Sequence, residues 1–78
     1  MPTVFRSGPY RLFFYAGDRD ELPHVHIERD NSEAKFWLDP IRLSRSHGFV
    51  AKEIKLIENL IAENQQVLLE AWNEFFNG

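Results

Sequence analysis

The segment Pro23-His24-Val25-His26-Ile27 places two imidazoles two residues apart in a β-prone stretch. A strand alternates its side chains between faces, so His24 and His26 point one way while Val25 and Ile27 point the other. Paired imidazoles on one strand face can hold a metal, grip a phosphate or move a proton near neutral pH. For phosphate chemistry, His26 is the candidate general base and His24 the candidate general acid. Lys35, with Arg6 or Arg11, would stabilise a pentavalent phosphate, and Trp37 would stack on a base. Such a reaction needs no cofactor. For metal chemistry, the pair needs further ligands, for which Glu28 on the same face is one candidate and Glu33 or His47 another. The structural alternative makes the histidines exposed strand residues, or ties between the 17–23 loop and the sheet. Asp18, Asp20 and Glu21 in that loop could orient an imidazole through a carboxylate–histidine bond. Trp37 could equally shield the pair, and Lys35 could be a solvated strand lysine.

The elements that must position these groups are legible from patterning. Thr3–Arg6, Tyr10–Tyr15, His24–Glu28 and Glu33–Leu38 read as strands, separated by Ser7-Gly8-Pro9, the polar stretch Gly17 to Pro23, and Asp30-Asn31-Ser32. After Pro40, Ile41–Ser44 is a candidate fifth strand. For Val25 and Ile27 to share a face with Ala34, Phe36 and Leu38, Ile27 must lie opposite Ala34 and Val25 opposite Phe36. That register sets His26 against Lys35, His24 against Trp37 and Glu28 against Glu33.

From Val50 onward the period changes. Val50, Ile54, Ile57, Ile61, Asn64, Leu68, Ala71 and Phe75 follow helical steps of four and three. Val50 is the expected N-cap, with Phe49 and Ile54 as a hydrophobic staple, and it cannot supply the side-chain bond of a Ser or Asp cap. Asn64, the polar residue on the apolar stripe, is expected to break the helix and cap a second one, Gln65–Phe76; one long helix is the alternative. Trp72, Phe75 and Phe76 are expected in the helix–sheet core. Strands followed by helices predict an α+β fold: a small, mostly antiparallel sheet of four to five strands, then two C-terminal helices packed on one face. Tyr10, Leu12 and Phe14 share one face of the second strand while Phe13 and Tyr15 share the other. The second aromatic face must therefore curl, be covered by the chain's own loops, or meet another protein.

A chain of 78 residues is expected to be one domain, 1–78, with strands over 1–45 and helices over 49–77. With no cysteine, disulfides and cysteine-type zinc sites are excluded. A hydrophobic content of 44%, with 14% aromatic residues, is enough to support autonomous folding. No apolar run approaches a membrane span and no signal peptide opens the chain, so cytoplasmic residence is the expectation. The first fifty residues balance seven basic against seven acidic groups, while residues 51–78 carry two lysines and five glutamates. That acidic helical half does not suit DNA or a membrane surface, and any RNA contact must come from the arginine-bearing first half.

Five stretches together resemble a small prokaryotic family, the domain-of-unknown-function 4160 family: Met1-Pro2-Thr3-Val4-Phe5-Arg6, Tyr10-Arg11-Leu12-Phe13-Phe14-Tyr15, Glu21-Leu22-Pro23-His24-Val25-His26, Ala34-Lys35-Phe36-Trp37-Leu38-Asp39-Pro40 and Glu70-Ala71-Trp72-Asn73-Glu74-Phe75-Phe76. Leu22 departs from the family's usual proline and Val50 from its common capping Ser. The resemblance implies half of a two-gene, toxin–antitoxin-like module, this half being the toxin-like one, with a small partner protein encoded nearby.

Three readings follow. The first is a toxin-like protein acting on RNA or another phosphorylated target through the His24/His26 face. The second is a non-enzymatic protein-interaction module whose aromatic sheet face binds a partner protein, a homo-oligomer being a separate option. The third is a small domain binding a divalent metal.

Overall fold

The computed structural model describes residues 3–77. Met1 and Pro2, which carry part of one family-like stretch, lie outside the described residues. Five strands form one antiparallel sheet in chain order: β1 (Thr3–Ser7), β2 (Tyr10–Phe13), β3 (His24–Arg29), β4 (Ser32–Leu38) and β5 (Ile41–His47). A 3-10 turn, Ala16–Asp20, lies between β2 and β3, and helices α1 (Ala51–Glu63) and α2 (Gln65–Asn77) follow the sheet. This is the expected α+β architecture, with five strands and two helices. No described helix is long and apolar enough to cross a membrane.

The β3–β4 register is the one that apolar alternation requires: Ile27 faces Ala34, Val25 faces Phe36, His26 faces Lys35 and His24 faces Trp37. Leu12, Val25, Ile27, Ala34, Phe36 and Leu38 form the sheet side of the core, and Ile57, Ile61, Leu68 and Trp72 the helix side. The second aromatic face is closed largely from within the chain. Phe13 is fully buried. The Arg11 guanidinium lies 4.3 Å above its ring, Tyr15 meets it edge-on at 5.2 Å, and His26 stacks at 5.5 Å.

Val50 is the N-cap of α1, in extended conformation and without a side-chain cap bond. The start of α1 is held by ties to the sheet instead. Arg29 donates to both carboxylate oxygens of Glu53 at 2.6 and 2.8 Å, and the Tyr10 hydroxyl donates at 2.7 Å. These bonds, from Arg29 first and then Tyr10, hold the Glu53 carboxyl below the usual glutamate range. A carboxylate whose pKa falls on folding stabilises the fold above its unfolded value of about 4.3, and that contribution is lost as pH drops through the folded value. Thermal midpoints measured from pH 7 downward should show Glu53→Gln below the wild type at neutrality. The two should converge in acid, once pH falls through the lowered folded value.

The helix break falls at Asn64, but its side chain works differently from the expected cap. Asn64 Nδ2 donates to the Leu60 carbonyl at 2.9 Å, satisfying an acceptor that the end of α1 would leave open, while its own backbone carbonyl accepts from Leu68 N–H at 2.9 Å. The amide end thus closes the first helix and does not open the second. Gln65 then ties α2 to the end of β4 by donating to the Leu38 carbonyl at 2.7 Å.

Gly48 leads from β5 into α1 at φ +92°, and a Cβ there would lie 2.5 Å from Ser32 Oγ and 3.2 Å from Ser32 Cα. Gly48→Ala is expected to cost about 1–2 kcal/mol from the left-handed backbone alone, with the contact adding to it. Urea denaturation measures this directly.

Candidate metal centre

His24 opens β3 and His26 follows on the same face. The 3-10 turn folds back over them because Asp18 closes it at both ends. Asp18 N–H donates to the Tyr15 carbonyl at 3.0 Å, and Tyr15 N–H donates to Asp18 Oδ2 at 2.9 Å. Glu21 N–H then donates to the Asp18 carbonyl at 3.0 Å. The carboxylate is thereby fixed against β3, with Oδ2 lying 3.0 Å from His24 Nε2 and 3.1 Å from His26 Nε2. The three residues are buried, at 8% exposure for Asp18, 0% for His24 and 2% for His26. Aromatic rings wall them in. Trp37 and Trp72 sit 5.5 and 5.1 Å from the His24 ring, and Tyr15 sits 4.5 Å from that of His26.

The hydrogen bonds assign a tautomer. His24 Nδ1 lies 2.8 Å from the Leu22 carbonyl, which only accepts, so Nδ1 carries the proton. In the neutral ring, Nε2 is then a bare lone pair. It approaches Asp18 Oδ2 closely but without hydrogen-bond alignment, and it has no other hydrogen-bond partner among the described residues. His26 Nε2–H donates to the same oxygen, so that nitrogen would have to give up its proton to bind an ion, and its Nδ1 has no hydrogen-bond partner among the described residues. Burial pushes the His26 pKa down, and Asp18 offsets this only in part. For Asp18, burial opposes ionisation. The Tyr15 N–H and the two imidazoles outweigh it and hold the carboxyl below the ordinary range. The site is a buried, ionised carboxylate beside two imidazoles.

One ligand atom from each of Asp18, His24 and His26 lies within 4.8 Å of the other two. The oxygen–nitrogen separations of 3.0 and 3.1 Å suit donors lying about 2.0–2.2 Å from one shared ion. The Nδ1–H bond to a backbone carbonyl is also the usual outer support of a metal-bound imidazole.

The other candidates are dispersed. Glu28, one candidate for a third ligand, points its carboxylate to the Arg11 guanidinium. It lies two residues beyond His26, about 7 Å along the strand, so Asp18 takes the place beside the imidazoles. Glu33 and His47 face each other one strand further on, in the same row as Glu28. Arg6 is exposed and pairs in register with Arg11, at that same end. Lys35 is beside His26 in register, yet its ammonium is 2.6 Å from Glu21 Oε1 and 4.6 Å above the Trp37 ring. Asp18 was legible only as an orienting carboxylate. The signal for a ligand was its spacing, six residues before His24, which a tight turn brings back onto the strand.

The profile of the family described as "Domain of unknown function (DUF4160)" matches residues 10–73, most of the chain and all three residues of the centre. The chain belongs to the DUF4160 family. No curated protein and no solved structure matches it. The centre of this DUF4160 domain therefore has to be read from its own chemistry. Two imidazole nitrogens and one carboxylate oxygen suit zinc or a neighbouring transition ion better than calcium or magnesium, which take oxygen ligands.

Proposed function

We propose that this DUF4160 domain binds a divalent transition metal, with zinc the best match, through Asp18 Oδ2, His24 Nε2 and His26 Nε2. The observation that carries this reading is His24 Nε2, buried 3.0 Å from a carboxylate oxygen with Nδ1 holding the proton and no aligned hydrogen bond between the two atoms. In a neutral ring that contact is repulsive, and a cation shared between the two atoms makes it attractive. Burial and aromatic walls favour a role in holding the 3-10 turn to β3 over an open catalytic position. They also weigh against the toxin-like, RNA-directed reading in its acid–base form. An outside phosphodiester would have to reach rings that are sealed, with Lys35 already engaged by Glu21.

The test is metal analysis of protein purified without a histidine tag and dialysed against trace zinc. About one zinc ion per chain is expected, with loss of the ion in His24→Gln and Asp18→Asn. Wild-type protein that takes up no zinc, cobalt or manganese would overturn the proposal and leave Asp18 as a purely structural acceptor.

A further inference from the structure

A second feature lies outside the metal centre, at the β4–β5 turn. A cavity of about 150 Å³, half open to solvent, is lined by Leu22, Pro23, Trp37, Asp39, Pro40 and Arg42. Cavities of about this size accommodate a benzene-sized ring, so a larger fused ring would seat one of its rings here and leave the other on the open side. Trp37 and Arg42 are direct cross-strand partners, and Arg45 pairs with Lys35 two residues back along β4, beyond a register shift, so Arg42 and Arg45 share the sheet face that carries Trp37. Lys35 on that face is neutralised by Glu21. Arg42, Arg45 and Asp39, by contrast, have no side-chain hydrogen bond or ion pair among the described residues.

The lining specifies an occupant. An indole beside two prolines favours a flat ring, an unpaired guanidinium favours an anion attached to it, and an unpaired carboxylate favours N–H donors on the ring's edge. An acidic peptide with an aromatic side chain meets the first two requirements but offers Asp39 only single backbone N–H groups spaced along a chain. A guanine nucleotide meets all three, since adjacent ring and exocyclic N–H groups can both bond one carboxylate. We infer that Trp37, Asp39 and Arg42 form a subsite for one unstacked guanine nucleotide, its base against Trp37 and its phosphate on Arg42 with Arg45 beside it. The nucleotide can be free or part of an unpaired RNA strand. This site uses none of the three proposed metal ligands, although Trp37 also walls His24 and the Leu22 carbonyl holds its Nδ1.

The experiment is a tryptophan-fluorescence titration of the full chain, with Trp72→Phe as background so that Trp37 reports alone. Guanosine monophosphate and a guanine-containing RNA tetranucleotide are compared with adenosine and uridine monophosphates and with an acidic phenylalanine-containing peptide. Saturable quenching by the guanine ligands is expected. Arg42→Ala should weaken it by about tenfold or more, and Asp39→Asn should remove the preference for guanine over adenine. Both variants should retain the wild-type metal content and circular dichroism, which separates failure of this site from failure of the metal centre. Tighter binding of the tetranucleotide assigns the source as RNA, and tighter binding of the monophosphate assigns it as free nucleotide; either supports the subsite. No quenching by any nucleotide, equal quenching by all three bases, or binding of the peptide alone would overturn it.

Discussion

Stripping divalent metal from the protein with a chelator is expected to lower its thermal midpoint by roughly 10–20 °C. The size follows from linkage. A ligand at a hundred times its dissociation constant stabilises the folded state by about 2.7 kcal/mol, and each kcal/mol moves the midpoint of a domain this small by about 4–8 °C. Re-addition of zinc should restore the midpoint. Asp18→Asn separates metal binding from simple hydrogen bonding. Its amide oxygen can still accept from Tyr15 N–H at the position Oδ2 now occupies, 2.9 Å away, but it brings no charge to an ion. The variant should therefore melt near the chelated wild type and show almost no response to zinc. If chelator and zinc leave the wild type unmoved while Asp18→Asn alone is destabilised, the carboxylate serves the imidazoles and no ion is involved.

The second large effect is expected at Trp72. Its indole is 5% exposed and lies 5.2 Å from the Phe14 ring, 4.3 Å from that of Phe76 and 5.1 Å from that of His24. Truncating such a buried aromatic costs about 3–5 kcal/mol through lost transfer energy and the cavity left behind. Whole domains are stable by only about 5–15 kcal/mol, so Trp72→Ala should be largely unfolded at modest urea concentrations. Trp72→Phe keeps a ring and should retain most of the stability and the metal. Because Trp72 walls His24, the alanine variant in saturating zinc should also release the ion faster. A loss below about 1 kcal/mol would mean that the end of α2 is not docked against the sheet.

Local patterns carried most of the fold. The alternation of Val25 and Ile27 against Ala34, Phe36 and Leu38 determined the β3–β4 register, because a slip of one residue would turn every apolar side chain outward. The helical stripe identified both helices, and Asn64 on that stripe marked the break between them. The candidate site was legible by half. Strand alternation puts His24 and His26 on one face of β3, and it makes Glu28 a candidate third ligand for the same reason. Asp18 reaches the site through a 3-10 turn, which has no periodic signature in a stretch of mixed charges. The burial of the imidazoles was equally hidden. It depends on Trp72, some fifty residues away, and on a loop whose course no short-range rule specifies.

All three proposed ligands lie within nine consecutive residues, from Asp18 to His26. A chain that has not yet assembled its helices thus already contains the whole coordinating set. An ion bound there would have only a short loop to close, at small entropic cost, and would pin this stretch before distant parts meet. Supplying zinc during refolding should then accelerate the folding limb, beyond merely slowing the unfolding limb, as for any contact formed early.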